Sequence, residues 1–459
     1  RLASQHGWLA ELGEGLDGLA RFYDSSGLVQ EAIQLLDWTA ERLQMVEGDD
    51  ASGLHSRVLT WLAHFLDRNG QIDAAFERLH QALALAGQGE DTEARWEATS
   101  LLGALLPHRG QFDLAQRCLA EASAAFRDRD DRRRLATALT RLGIVQWRHG
   151  DYGAAQASLH EAQGLQEGLH NRLGLAKILR TLGGIAFEQK RLDQALIYAV
   201  QARQIYEAVG DQASMAMLDG NLALLSREQG RYAEALAYNQ NDLDYAAATG
   251  DRPGAAVALG NRGSILWDAG RLEEALDCFA RAQRLAEEVG DAWEAARHLA
   301  AAAMVRAVGH QRQQALADLL TAIPALRSRG APFYLVGPLL DAAELLIDAG
   351  ELAAARALVD EGGQLAQEMG LADKLLWRQI LAARLLHAEG DRQAALTRLR
   401  ALAAEAGAPE QQALARFWLW RVGQGEADRA AAAALYETLY RQLPSFEYQQ
   451  QLAALHQRL

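Results

Sequence analysis

The chain has 459 residues, of which 50% are hydrophobic and 7% aromatic, and its formal net charge is -14. A chain this long does not fold around one compact core, so we expect several domains or an elongated repeat array. The acidic balance excludes nucleic acid as the expected partner, because phosphates repel such a surface. No run of about 18 apolar residues is present, so no membrane span is predicted.

The N-terminal segment is predicted to be helical rather than a cofactor loop. Residues 13–18 match the bare Gly-x-Gly-x-x-Gly dinucleotide pattern. No strand precedes them and the flanking apolar residues are spaced as in a helix, so no cofactor is expected. The sequence has no paired-cysteine or His-Glu-x-x-His spacing, and therefore predicts no metal site. The chain begins at Arg1 rather than Met, so we expect it to be part of a longer protein.

The sequence then repeats itself every 40 residues. Nine positions spaced at this interval, called turn positions below, hold Gly70, Gly110, Gly150, Lys190, Gly230, Gly270, His310, Gly350 and Gly390. Alanine stands five residues after every turn position, and glycine or alanine stands seven residues before it. Small residues at two fixed points allow two helices to cross closely. Glycine at the turn position favours the left-handed conformation that ends a helix.

A second turn completes each repeat. Asp211, Asp251 and Asp291 each follow a glycine in that turn and are suited to cap the next helix. Each 40-residue repeat is therefore predicted to be a helix, a glycine turn, a second helix and a Gly-Asp turn.

Two segments carry a family resemblance. LGIVQWRHGDYGAAQASLHEA, from Leu142 to Ala162, has the Leu-Gly, Gly-x-Tyr-x-x-Ala and terminal apolar-Ala pattern of tetratricopeptide repeats, and Arg262 to Ala282 is a near match. The chain thus resembles the tetratricopeptide-repeat superfamily, although its period exceeds the usual 34 residues and the closing Pro is missing. The longer repeat is similar to the C-terminal sensor arrays of bacterial STAND-type signalling NTPases and to kinesin-light-chain-like scaffolds. The resemblance implies an all-α, right-handed superhelical solenoid of about eleven helix pairs with a C-terminal capping helix.

Irregularities in the repeat suggest how the solenoid is organised. We expect a main array over residues 1–309 and an irregular seam over 310–340, where Pro324, Pro332 and Pro338 are concentrated. Residues 341–459 are predicted to form the C-terminal repeats and the capping helix, which follows Pro444. Together the three parts are expected to form one continuous solenoid.

The resemblance implies that the first helix of each pair lines a concave face. Basic, aromatic and amide side chains on that face are the predicted partner-binding residues: Arg141, Trp147, Arg148, Lys177, Arg180, Phe187, Asn221, Arg227, Asn261, Trp267 and Arg297. Asn221 and Asn261 share one repeat position, where the resemblance implies a hydrogen bond to the backbone of an extended peptide. Trp147, Phe187 and Trp267 share another and would serve as apolar anchors. The basic excess on an acidic chain predicts an acidic or C-terminal-carboxylate ligand.

A secondary candidate site lies on one helix. Asn239, Asn241, Asp242 and Asp244 bring polarity to a helix whose sibling repeats carry Leu, Phe and Ala at core positions. A buried carboxylate is costly unless it is paired. A local bend or an arginine partner in the adjacent repeat would account for these residues; contact with a ligand is the alternative.

The sequence therefore predicts a binding module, the sensor or scaffold segment of a larger bacterial signal-transduction protein that grips an extended peptide or protein partner. The alternative is the regulatory array of a multidomain enzyme, a protease or cyclase, whose catalytic segment is absent from this chain. No local motif groups a nucleophile with a base, so the chain is not predicted to be an enzyme. Two cysteines are too few for a disulfide framework, which favours the cytoplasm. Other domains of a longer chain are expected as partners in cis.

Overall fold

The computed structural model describes residues 2–46, 49–88, 92–328 and 332–457. All regular secondary structure in these ranges is helical, with 23 α-helices and one short 3-10 helix. The predicted all-α fold class is confirmed, because the helices form eleven successive pairs followed by a final helix. The chain divides into two compact units, residues 1–210 and 211–459.

The N-terminal unit contains the first ten α-helices. They are α1 (Leu2–Ser26), α2 (Val29–Leu43), α3 (Asp49–Arg68), α4 (Ile72–Gln88), α5 (Thr92–Leu105), α6 (Phe112–Asp128), α7 (Arg132–Arg148), α8 (Tyr152–Gly168), α9 (Arg172–Glu188) and α10 (Leu192–Val209), with the 3-10 helix Leu106–Arg109 after α5. The odd-numbered helices α1, α3, α5, α7 and α9 contact one another in series and form the first-helix layer of this unit. Residues 13–18, which carry the dinucleotide pattern, lie within helix α1.

The C-terminal unit contains the remaining thirteen α-helices. They are α11 (Gln212–Glu228), α12 (Tyr232–Thr249), α13 (Arg252–Asp268), α14 (Leu272–Glu288), α15 (Ala292–Val308), α16 (Arg312–Ser328), α17 (Phe333–Ala349), α18 (Leu352–Glu368), α19 (Ala372–Ala388), α20 (Arg392–Glu405), α21 (Pro409–Gly423), α22 (Glu426–Gln442) and α23 (Phe446–His456). Helices α11, α13, α15, α17, α19 and α21 contact one another in series as the first-helix layer of this unit.

The turns form as the repeat pattern predicts. Gly150 has a φ of 89°, in the left-handed region that favours glycine. Lys190 and His310 hold the same conformation, with φ of 59° and 63°, although they carry side chains. In the second turn, the side chain of Asp251 accepts a hydrogen bond from the backbone N of Gly254 at 2.9 Å, which confirms the predicted helix cap.

The two columns of small residues meet where paired helices cross. A Cβ atom on Gly143 of α7 would lie 2.6 Å from Leu159 Cγ and 3.1 Å from the backbone oxygen of Ala155 on α8. Ala155 itself has no exposed surface. The absence of larger side chains therefore lets the two helices approach to backbone contact.

The C-terminal helix closes the array as predicted. Leu455 of α23 is buried in one apolar cluster with Phe417, Trp420 and Tyr436. Within the predicted seam, Pro324 lies inside α16 and residues 332–340 belong to α17 and the residue before it, while residues 329–331, including Gly330, lie outside the described residues. The seam itself stays a prediction. In the part of the chain that the structure describes, no helix is long and apolar enough to cross a bilayer.

Candidate binding site

The first-helix layer of the N-terminal unit borders a cavity of about 490 Å³. Ligand pockets in proteins commonly have volumes of about 300–1,000 Å³. The polar and aromatic lining comes mainly from α1, α3, α5 and α7 and comprises Arg21, Thr60, Trp61, His64, Glu97, Ser100, Phe126, Arg133, Arg134, Thr137, Arg141 and Asn171. Because four of these side chains are arginines and one is a glutamate, the cavity wall is predominantly basic.

Most of the acidic groups near the cavity are already paired. Trp61 Nε1 donates to Asp17 Oδ1 at 3.0 Å, and Arg57 Nη2 lies 3.2 Å from the same oxygen. Burial opposes ionisation of Asp17, but this hydrogen bond and the charges of Arg57 and Arg134 outweigh it and lower the pKa of Asp17. Arg134 also pairs with Glu97. These contacts fix the Trp61 ring as one wall of the cavity.

A second cluster fixes the histidine beside that ring. His64 Nε2 lies 3.0 Å from Asp24 Oδ1, and Arg68 pairs with the same carboxylate. Burial would raise the pKa of Asp24, but the His64 hydrogen bond and both neighbouring charges hold it well below its ordinary value. The rings of Trp61 and His64 meet edge to face, with centroids 5.6 Å apart. The wall from Trp61 to Arg68 is therefore held by contacts to α1.

Arg141 differs from Arg21 and Arg134 of the cavity wall, which pair with carboxylates. Its Nη1 atom donates to Ser100 Oγ at 3.0 Å, and among the described residues no carboxylate pairs with its guanidinium group. Burial lowers the pKa of Arg141, although the more distant charges of Glu97, Asp67 and Asp24 favour its ionised form. Arginine side chains nevertheless remain protonated in proteins. The guanidinium group of Arg141 is therefore held by Ser100, and its other N–H groups can donate hydrogen bonds to an anion that enters the cavity.

The other predicted residues of this unit lie elsewhere on the first-helix layer. Trp147 packs on Gly184, where a Cβ atom would lie 2.8 Å from Trp147 Cη2, and its Nε1 atom donates to Glu188 Oε2 at 2.9 Å. Phe187 is half-buried, with Lys190 Nζ 5.8 Å from its ring centroid. Arg148 and Lys177 are exposed and Arg180 is half-buried. Of the predicted residues, only Arg141 lines the cavity.

Most residues of the cavity wall were not predicted from the sequence. Trp61 stands nine residues before its turn position, as Arg141 does, and Ser100 stands ten before its own, as Thr140 does. These repeat columns could have extended the predicted face to α3 and α5. Arg21 could not have been found in this way, because α1 is out of phase with the repeat.

In the C-terminal unit, the predicted residues follow α11, α13 and α15. Asn221 is exposed on α11, and Asn261 is half-buried on the neighbouring helix α13. Arg227 Nε donates to Asp268 Oδ2 at 2.6 Å, while Trp267 packs beside the buried Leu266 in one apolar cluster. On α15, Arg297 pairs with Glu294. Both basic residues are thus already neutralised by carboxylates.

The secondary candidates lie on helix α12. Asn239 is fully buried, and its Nδ2 atom donates to the backbone oxygen of Ala258 at 2.8 Å. Asn241 Nδ2 donates to Asp219 Oδ2 at 3.1 Å. Asp244 is exposed and accepts a hydrogen bond from Gln240 at 2.8 Å. Asn239 and Asn241 therefore tie α12 to the helices beside it.

Asp242 lies on the part of α12 that is close to Gly220 of α11 and to the negative charge of Asp219. Its Oδ2 atom would be 3.2 Å from a Cβ atom on Gly220. Burial and the negative charges of Asp219 and Asp251 raise the pKa of Asp242 to about 6. No arginine pairs with Asp242 in the described part of the unit. Over the described ranges, no three His, Cys, Asp or Glu side chains are grouped so as to hold a metal ion.

Comparison with known families agrees with this architecture. Residues 96–167, 135–208 and 214–288 match the family model described as Tetratricopeptide repeat. These segments are tetratricopeptide repeats, and they lie in both units. Repeats of this class are protein-interaction modules that stack into extended binding surfaces. No curated protein sequence matches the chain.

Solved structures of similar fold include the following three proteins. A STAND protein with a tetratricopeptide repeat sensor from Pyrococcus horikoshii is 13% identical, with a TM-score of 0.56 over 76% of this chain and 55% of that one. The apo form of the quorum sensor NprR from B. thuringiensis is 14% identical, with a TM-score of 0.59 over 79% of this chain and 99% of that one. A Rap protein complexed with Competence and Sporulation Factor is 14% identical, with a TM-score of 0.50 over 75% and 99% of the two chains. The chain thus spans 55% of the STAND protein, and all three likenesses establish the fold.

Proposed function

We propose that this chain binds a peptide or protein segment and is the sensor or scaffold part of a larger bacterial signal-transduction protein. One observation carries the proposal: Arg141 faces a cavity of about 490 Å³ while no described carboxylate pairs with it. The repeats supply the general binding role. Support for a peptide ligand comes from the similar folds of a Rap protein complexed with Competence and Sporulation Factor and of the quorum sensor NprR.

Recognition in the N-terminal unit would combine charge with a rigid apolar wall. A carboxylate of the ligand would accept hydrogen bonds from Arg141, whose orientation is set by Ser100. Arg133, at the same cavity, adds a second positive charge. The held ring of Trp61 would pack against an apolar side chain next to that carboxylate. An acidic peptide is therefore the favoured ligand.

The remaining predicted residues of the N-terminal unit would extend this surface. Lys177, Arg148 and Arg180 would attract further acidic side chains, and Phe187 would offer an apolar contact. In the C-terminal unit, Asn221 and Asn261 lie on adjacent helices and would bond the backbone of an extended segment.

The test is selection of peptides from a random library, followed by titration of two matched variants. Arg141→Ala is expected to weaken binding of the selected peptides about tenfold or more, since a charge-assisted hydrogen bond contributes about 1.5–3 kcal/mol. Arg117→Ala removes an equally charged, exposed residue of α6 that is not part of the cavity wall, and should leave affinity unchanged. Equal affinities for the two variants would refute the cavity as the binding site.

A second comparison tests one further predicted residue in each unit with the selected peptides. Asn221→Ala and Arg180→Ala should each weaken binding by a few-fold to about tenfold, the range expected for one lost hydrogen bond of about 0.5–1.5 kcal/mol. Arg284→Ala changes an exposed residue of α14, outside the first-helix layer, and is the control.

A further inference from the structure

The segment that follows α22 returns to two much earlier turns of the C-terminal unit. We call residues 443–447 the docking segment. A Cβ atom on Gly230 would lie 3.0 Å from Leu443 Cδ1 and 3.2 Å from Pro444 Cδ. A Cβ atom on Gly270 would lie 3.1 Å from Phe446 Cδ2. Helix α23, which begins at Phe446, also contacts α13. The chain therefore lays one of its own segments across the ends of α11 and α13.

The two contacted turns are equivalent and lie one repeat apart. Gly230 and Gly270 are both turn positions, with φ of 71° and 76°. Because neither has a side chain, each turn presents bare backbone on which an apolar group can rest. The later turn glycines Gly350 and Gly390 meet nothing within 4 Å. The contact is therefore specific to the turns at Gly230 and Gly270, and each of these turns contacts a different part of the docking segment.

The charge that follows Phe446 works against this docking. Burial and the negative charge of Asp268 on α13, which is itself paired with Arg227, raise the pKa of Glu447, while Lys374 of α19 opposes the shift. Burial also raises the pKa of Asp341 on α17 to about 7, and Glu447 contributes to that rise. The charge of Lys374 opposes the rise at both Glu447 and Asp341. Apolar contacts of Leu443, Pro444 and Phe446 therefore hold the docking segment in place, while like charges repel Glu447 at its end.

We propose that the turns at Gly230 and Gly270 form a docking surface for a peptide that carries Leu-Pro-x-Phe followed by a neutral or basic residue, and that the docking segment occupies this surface as an intramolecular competitor. The segment itself shows which apolar groups fit the two turns. A partner can gain affinity at the residue that follows the aromatic ring. A neutral or basic residue there avoids the repulsion that Asp268 and Asp341 exert on Glu447. A tethered segment competes at an effective concentration of about a millimolar. An outside partner must therefore exceed the affinity of the built-in segment.

Two labelled peptides test the proposal. One is RQLPSFEYQQ, residues 441–450, and the other carries Lys in place of Glu447. Both are titrated against the unsubstituted chain and against the full chain with Phe446→Ala, which removes the aromatic contact but retains the rest of α23. Both should bind the Phe446→Ala chain at least about tenfold more tightly, because the tethered competitor is weakened. The Lys peptide should bind severalfold more tightly than the native one, and added salt should reduce that difference.

Matched glycine variants locate the surface. In the Phe446→Ala chain, Gly270→Ala should abolish peptide binding and Gly350→Ala should not. Both glycines have left-handed φ, of 76° and 82°, so both substitutions cost similar backbone strain. Only Gly270 adjoins the docking segment. Equal effects of the two substitutions, or no saturable binding up to about millimolar peptide, would overturn the proposal.

A variant with a single substitution gives an independent answer. Glu447→Lys in the otherwise unsubstituted chain should slow amide hydrogen exchange at the start of α23 and further suppress binding of either peptide, because the substitution removes the carboxylate that interacts unfavourably with Asp268 and Asp341. Faster exchange in this variant would contradict the inferred docking.

Discussion

At the scale of single residues, backbone conformation explains why the turn positions are mostly glycine. A side chain in the left-handed region costs about 1–2 kcal/mol, because Cβ approaches the following carbonyl oxygen. Lys190 and His310 bear that cost, with φ of 59° and 63°. Both residues occupy turn positions of the 40-residue repeat, and they adopt the conformation of the glycines they replace.

His310→Gly should therefore stabilise the protein. The expected gain in the free energy of unfolding is about 0.5–1 kcal/mol, less than the full strain because glycine also increases the entropy of the unfolded chain. Chemical denaturation measures it. Ala307→Gly, three residues earlier and inside helix α15, should instead destabilise by roughly 1 kcal/mol. Destabilisation by both substitutions would show that the turn is not strained.

Asp242 should make stability depend on pH. Its pKa is raised from 3.8 to about 6, so the folded state favours the protonated carboxyl group. The resulting stabilisation is complete below about pH 4 and is lost as pH rises through about 6. Asp242→Asn should raise the free energy of unfolding by on the order of 1 kcal/mol at pH 8 and have little effect at pH 4.

The control for this pH experiment is Asp244→Asn, which removes the same charge from an exposed position of α12. Thermal unfolding at the two pH values separates the variants. A gain at pH 8 that is equal for both would show that net charge, rather than the burial of Asp242 and the nearby charges of Asp219 and Asp251, is responsible.

At the scale of helices, the column of small residues seven positions before each turn is not uniform. Gly143 has no room for a methyl group, whereas a Cβ atom on Gly183 would lie 3.5 Å from its nearest neighbours, an ordinary contact distance. Repeats that look alike in sequence therefore differ in how closely their helices cross.

Gly143→Ala and Gly183→Ala should consequently have opposite effects. The first should destabilise the N-terminal unit by roughly 1–3 kcal/mol as overpacking against Leu159 and the Ala155 backbone. The second should be neutral or stabilising by up to about 1 kcal/mol, because alanine is the better helix former. Circular dichroism during denaturation measures both. A similar loss in the two variants would mean that the crossing distances are equal.

At the scale of the whole molecule, structural features that recur in every repeat could be predicted from the sequence, and features that occur only once could not. The columns of small residues that include Gly143 and Ala155 predicted the helix pairs, because the same close crossing of two helices recurs in every repeat. The position of Arg141 on the first-helix layer followed from the same register. Trp147 was predicted as a ligand anchor, yet its ring fills the space that Gly184 leaves empty in the next repeat. That pairing depends on two particular repeats, so no repeat column reports it.

The cavity and the docking segment were harder to predict for the same reason. The cavity forms only when α1, α3, α5 and α7 stack, and α1 does not follow the repeat. Contact between Phe446 and Gly270 joins residues far apart in the chain and corresponds to no repeated pattern in the sequence.

That long-range contact also bears on the order in which the C-terminal unit assembles. Contacts between neighbouring repeats close short loops, whereas the contact of Phe446 with Gly270 closes a loop that spans most of the unit, at a higher entropic cost. We expect it to form after the folding transition state. Phe446→Ala should then accelerate unfolding in stopped-flow experiments and leave the refolding rate nearly unchanged, which corresponds to a φ-value near zero. During synthesis, residues 443–447 leave the ribosome after α11 and α13, so the surface at Gly230 and Gly270 is open to other segments before its own competitor arrives.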